Sequence, residues 1–160
     1  QVLVQADLPA EGFIDYEALL DLMSLHGELF SAKMYGSKGY LKRAWNEALK
    51  AGFEIQTFHP GPQLKEKEVA CALVTDMVAD ALTQSEPGDC FVLVGSSRDY
   101  VPAVQRLRQL GRHVTVIFFD DPLNKALRHA AHDFGSLDRH FIELLKPALD
   151  PSTEEASGID

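Results

Sequence analysis

The run Cys90-Phe91-Val92-Leu93-Val94 is apolar at every position, and it constrains the fold more than any other feature of the chain. A strand with one face in water alternates apolar and polar residues. A strand without alternation needs cover on both faces, as in a parallel sheet held between helices. Val2–Ala6 reads as a buried strand too, and Glu28–Tyr35, Phe53–Phe58 and Val114–Phe119 read as three more. Helical patterns separate them. Asp15 is placed to cap a helix to about His26, with Leu19, Leu20, Met23 and Leu25 as its apolar face and Gly27 as its stop. Gly39–Ala51, Glu68–Thr83, Tyr100–Leu110, Asn124–His132 and Arg139–Leu145 follow as helices. Strict alternation predicts a three-layer α/β/α, Rossmann-like domain with a central parallel sheet of about five strands. That domain is expected over residues 1–149, with 150–160 as an acidic, disordered tail.

Composition narrows the class. A chain of 160 residues with 46% apolar and 24% charged residues can bury a core and is not a disordered polymer. No apolar run approaches the ~18 residues of a membrane span, so a soluble protein without a membrane partner is expected. The chain opens inside a strand without Met, as a piece of a longer protein would. Cys71 and Cys90 do not form a disulfide framework; both are expected to be small buried thiols in a reducing, cytoplasmic setting. A net charge of -9 argues against general nucleic-acid binding through a basic surface. The charge is uneven, however. Residues 1–32 carry acids and no Lys or Arg, whereas Lys33, Lys38, Lys42, Arg43, Lys50, Lys65 and Lys67 are concentrated in 33–67. That stretch reads as a phosphate-contacting edge or as a solvated helix face and loop.

In open parallel sheets, ligands bind beyond the carboxyl ends of the strands where strand order reverses. Asp7 follows the first strand and Ser96-Ser97-Arg98-Asp99 follows the fourth, so these residues are the first site candidates. Each also has a plainer reading: Asp7 as a loop cap, Asp99 as the N-cap of the next helix, Ser96 and Ser97 as turn residues. Asp76, Asp80 and Thr83 form a polar stripe on an otherwise apolar, mostly buried helix, and mark either the site or a solvent face. Glu68 is a further acid near that helix start. His129 and His132, three apart, read as surface or packing residues rather than ligands. No Ser-His-Asp order, Gly-rich phosphate loop, CxxC or HExxH motif is present.

Several segments together resemble one family. FVLVGSSRDYVPAVQRLRQLGRHVTVIFF, residues 91–119, is similar to the NYN-domain pattern of an apolar strand, then S-G-D-S-D-F, a helix ending L-R-x-x-G-K, and another strand. KEVACALVTDMVADAL, residues 67–82, resembles the family's K-G-V-D-V-x-L-x-x-D helix. VLVQADLPAEGFIDYEALLDLM, residues 2–23, resembles its opening strand, Asp and first helix. LNKALRHAAHDF, residues 123–134, resembles its closing segment. NYN domains are a branch of the PIN-like nuclease superfamily, and the resemblance implies a metal-dependent ribonuclease. Mg²⁺ or Mn²⁺ would be held by carboxylates, and a metal-activated water would attack an RNA phosphodiester. By position, Asp7 takes the first-strand Asp, Asp99 the second Asp of the motif, Tyr100 its aromatic, Asp76 the later helix Asp and Lys67 the leading Lys. Lys65, Lys42 and Arg43 would guide the phosphate backbone, with Ser96 and Ser97 as further contacts. Ser97 replaces the motif's first Asp, Ala70 replaces the earlier helix Asp, and Gly95-Ser96 inverts the usual Ser-Gly pair.

Two functions follow from this reading. One is a single-metal or feeble endoribonuclease using Asp7, Asp99 and Asp76. The other is a catalytically reduced NYN domain acting as an RNA- or protein-binding regulatory module, with an acidic surface suited to a protein partner or a homodimer.

Overall fold

A computed structural model describes residues 1–7, 14–37, 42–58, 65–119 and 124–140; the side chains of 37, 42–44, 57, 58, 65–67, 139 and 140 lie outside that description. The sheet strands are β1 (Val2–Ala6), β2 (Leu29–Ser37), β3 (Glu54–Phe58), β4 (Cys90–Val94), β5 (His113–Phe118) and β6 (Asp133–Ser136). They lie in the order β3-β2-β1-β4-β5-β6, and every neighbouring pair is parallel. Order therefore reverses between β1 and β4, the two strands whose ends carry Asp7 and Ser96–Asp99. The helices are α1 (Tyr16–Ser24), α2 (Lys42–Ala51), α3 (Lys65–Thr83), α4 (Val101–Gln109) and α5 (Lys125–Ala130), with 3-10 turns at Arg98–Tyr100 and Leu137–His140. α1 packs on α2, while α3 packs on α4 and α4 on α5. Given right-handed crossovers, these two groups cover opposite faces of the sheet. No helix among the described residues is long and apolar enough to cross a membrane.

The apolar runs go where their lack of alternation requires. Val2, Leu3, Val4, Phe91, Val92, Leu93, Val94, Val114 and Val116 are all fully buried in the centre of the sheet. Asp15 caps α1 by accepting from the Ala18 N–H at 3.1 Å, and Gly27, at φ +143°, lets the chain turn directly into β2.

Four expectations need correction. A sixth strand, β6, pairs with β5. Its sequence, DFGS, has neither alternation nor an apolar run, because an edge strand held by backbone bonds needs neither. Arg139 and His140 end a 3-10 turn rather than starting a helix, and 141–145 lie outside the described residues. α3 is not buried all round: Cys71, Thr75, Ala79 and Leu82 are exposed on its outer side, so Cys71 is an exposed thiol and Cys90 a half-buried one. Of the two readings left open for the polar stripe on α3, the solvent face does not hold for Asp76 and Asp80, which turn toward the sheet, as described next. The tail at 150–160 lies outside the described residues.

Candidate active site at the strand switch point

Asp7 sits directly between the central strands, its N–H donating to the Val94 carbonyl at 2.8 Å. Its carboxylate is held from the other side: the Tyr100 hydroxyl donates to Asp7 Oδ2. Tyr100 is fully buried at the end of the 3-10 turn, and its ring lies against the backbone of Gly95. A Cβ on Gly95 would stand 2.9 Å from Tyr100 Cε2. Glycine is therefore needed at the first position after β4, which accounts for the Gly95-Ser96 order. Burial, then the charge and hydrogen bond of Asp7, then the charge of Asp99, push the Tyr100 hydroxyl far above its ordinary range. It stays a neutral donor.

Asp99 is exposed beside this pair. It is not the helix cap that its position suggests. Ser97 caps the 3-10 turn, accepting from the Asp99 N–H at 3.1 Å, and α4 follows Tyr100 without a side-chain cap. The Ser96 carbonyl accepts from Asn124 N–H at 3.2 Å, and Asn124 in turn caps α5 through its side chain. The start of α5 is thereby fixed to the rim of the site.

Asp76 belongs to a second cluster under α3. It accepts from the fully buried Tyr35 hydroxyl at 2.7 Å. One turn further on, buried Asp80 Oδ2 accepts from Gln5 Nε2 at 3.1 Å and from Lys33 Nζ at 3.0 Å. The structure therefore sets Asp7 against the Tyr100 hydroxyl, with Asp99 near enough for its charge to act on that hydroxyl, and places Asp76 with Asp80 around Tyr35 and Lys33. Gln5, Lys33, Tyr35 and Asp80 were not recognised as a unit in the sequence. The available signal was Gln5, the one polar residue in β1, together with the four-residue spacing of Asp76 and Asp80. Lys42, Arg43, Lys65 and Lys67, the expected phosphate guides, lie outside the described side chains. His132 and His129 form no joint ligand pair: His132 stacks on His113, and its Nδ1 accepts from the Val114 N–H at 3.0 Å.

The α3 cluster predicts alkaline instability. Burial pulls the Lys33 ammonium down, but the hydrogen bond and charge of Asp80, with Asp76 and Glu54, outweigh it and hold its pKa above the ordinary 10.5. Tyr35 is pushed up by burial and then by Asp76. For both groups the folded value exceeds the unfolded one. Their contribution is complete below about pH 10 and falls as pH rises toward the folded values. Urea midpoints should drop from about pH 9 to about pH 11, with a smaller drop in a Lys33→Met, Tyr35→Phe double variant.

Among the described residues no three His, Cys, Asp or Glu groups stand close enough to hold a metal ion. Two carboxylates at one rim are a different case. Mg²⁺ commonly takes one or two protein carboxylates and completes its shell with water and substrate phosphate oxygens. The hard carboxylate oxygens of Asp7 and Asp99 are the donor type that such an ion takes.

A parallel sheet in this order, with a carboxylate at the β1–β4 switch point, defines a doubly wound, Rossmann-like α/β domain. The chain belongs to the NYN-domain family, whose model matches residues 2–138. Among solved structures it is similar to a protein of unknown function from Vibrio parahaemolyticus, with 17% identity, a TM-score of 0.72, and cover of 91% of this chain and 96% of that one. At that identity the likeness shows the fold. No curated protein matches.

Proposed function

We propose that this NYN domain acts on RNA as a weak, divalent-metal-dependent endoribonuclease centred on Asp7 and Asp99. The observation that carries the reading is the Tyr100–Asp7 hydrogen bond at the strand switch point, with the Asp99 charge close enough to act on the same hydroxyl. Asp7 and Asp99 would hold one Mg²⁺ or Mn²⁺, which when bound would supply charge neutralisation and an activated water. Tyr100 keeps Asp7 in one orientation, and the Ser96 and Ser97 hydroxyls stand at the rim where a phosphate would lie. Lys42, Arg43, Lys65 and Lys67 remain candidates for steering the backbone. Asp76 contributes less in this reading, since its oxygen is taken by Tyr35. A cytoplasmic setting suits an exposed, free thiol such as Cys71.

A second reading, a catalytically reduced domain that binds RNA, a protein or a second copy as a regulatory module, is favoured by that same diversion of Asp76. It is also favoured by the use of Ser97 as a turn cap where the family pattern has an acid.

One experiment separates the two. Purified protein is incubated with single-stranded RNA and Mn²⁺, beside an Asp99→Asn variant. The expected outcome is slow cleavage by the wild type and a loss of about tenfold or more in the variant, as for a lost metal contact. Identical traces from the two proteins exclude the enzyme reading and leave the regulatory one.

A further inference from the structure

α4, VPAVQRLRQ, and α5, KALRHA, contain no Asp or Glu, in a chain whose net charge is -9. The two helices pack side by side, with Arg106, Arg108, Lys125 and Arg128 all exposed. An open groove of about 750 Å³ runs between them, from Val101 past Gln105 and Arg108 to His129. His129 also lines an adjoining hollow of about 470 Å³ with Lys125, Arg128, His132 and Phe134. The groove begins at Val101, the first residue of α4, two positions along the chain from Asp99.

Part of this positive charge has a local explanation. Arg106, Arg108 and Arg128 lie in last helical turns, where cations suit the helix dipole. Lys125 does not. It opens α5, the end at which a cation is disfavoured, so its charge there does not serve the helix. Two of the arginines are also held in place. The Arg128 guanidinium stacks 4.2 Å from the Phe134 ring centroid, and Arg108 Nη1 donates to the Ala130 carbonyl at 2.6 Å. A guanidinium carries five N–H groups, and a stacked one presents its edge to a ligand with less rotamer entropy to lose. The acid lining the hollow, Asp133, already pairs with His113 at 2.6 Å.

We propose that the α4–α5 face is a docking track for the backbone of single-stranded RNA, leading away from the Asp7–Asp99 rim through Lys125, Arg128 and Arg108. The inference rests on the reading that this domain acts on RNA. A positively lined groove beside an aromatic residue is the arrangement that follows a single strand without reading its bases. In a chain of net charge -9, a groove flanked by helices without acids is a favoured place for a phosphate chain.

The test is fluorescence anisotropy of a labelled single-stranded RNA of about 20 nucleotides, titrated in EDTA over a range of KCl concentrations. Lys125→Gln/Arg128→Gln is expected to bind about tenfold more weakly than the wild type. Its log K against log[KCl] slope should be shallower by about 1.4, two contacts at ~0.7 each. Arg128→Lys, which keeps the charge, should retain most of the affinity and guards against a loss caused by misfolding. Unchanged affinity and slope in the double variant, or no RNA binding by the wild type, overturns the proposal. So does equal binding of polyglutamate with the same dependence on Lys125 and Arg128, which would assign the face to an acidic protein. Weakened binding by the double variant, in a protein that does not cleave RNA with Mn²⁺, leaves this proposal standing and removes the nuclease reading. Cleavage with unchanged binding does the reverse.

Discussion

Asp80→Ala is expected to reduce the free energy of unfolding by about 3 kcal/mol, read as a fall in the urea midpoint. Asp80 is 8% exposed, and one of its oxygens accepts from both Gln5 and Lys33. Removing it strips two donors at once. Gln5, 1% exposed, already has an Oε1 with no partner among the described residues, and its amide nitrogen would lose its hydrogen bond to Asp80. The partly buried Lys33 ammonium would lose its ion-pair partner. Breaking a buried pair from one side costs more than the pair was worth, because the orphaned charge remains desolvated. A Lys33→Met, Asp80→Leu double variant should therefore recover a large part of the loss. If Asp80→Ala shifts the midpoint by less than about 1 kcal/mol, the cluster under α3 is more hydrated than its geometry implies.

Arg112→Ala should cost a similar amount, about 3 kcal/mol, for a different reason. Arg112 is 8% exposed and spends its donors on helix ends rather than on an acid. Its Nη2 donates to the Ala81 and Ser85 carbonyls at 2.6 and 2.8 Å, Nη1 to the Leu110 carbonyl at 2.5 Å, and Nε to Ser85 Oγ at 3.0 Å. These are the carbonyls that the ends of α3 and α4 leave unpaired. The side chain therefore clamps two helices on one face of the sheet. Arg112→Lys should rescue only part of the loss, since one ammonium cannot reproduce a planar fork aimed at several carbonyls. Parallel thermal melts check both variants. A loss in Arg112→Ala confined to local exchange at the C-terminal turn of α3, with no change in the global midpoint, would reduce the clamp to a local cap.

Much of the fold was legible because burial leaves a local imprint. The unbroken apolar runs at Val2–Val4 and Phe91–Val94 mark strands covered on both faces, and Asp15, Asn124, Gly27 and Gly111 mark helix ends. β6 left no such imprint. Its four residues lie on an edge, and Gly135 is favoured by the Ile117 side chain, 3.2 Å from where a Cβ would stand. The lining of α3 was ambiguous for a related reason. With apolar residues nearly all round, its sequence does not say which way the helix is rotated. Rotation is set by the polar atoms it must satisfy, Tyr35, Lys33 and Gln5, on two strands distant in sequence.

The candidate site divides along the same line. The sequence by itself pointed to Asp7, which directly follows β1, and to Asp99 in the segment after β4, since strand ends are where such sheets expose function. Tertiary structure alone decided what holds them. The Tyr100 hydroxyl reaches Asp7 across 93 residues of chain, and Tyr35 reaches Asp76 across 41. Such pairings depend on sheet order and helix rotation, neither of which a local period encodes. The basic α4–α5 face became visible only in the same way. Its charges lie on two acid-free helical segments separated by Asp120 and Asp121, and helix packing sets those segments side by side.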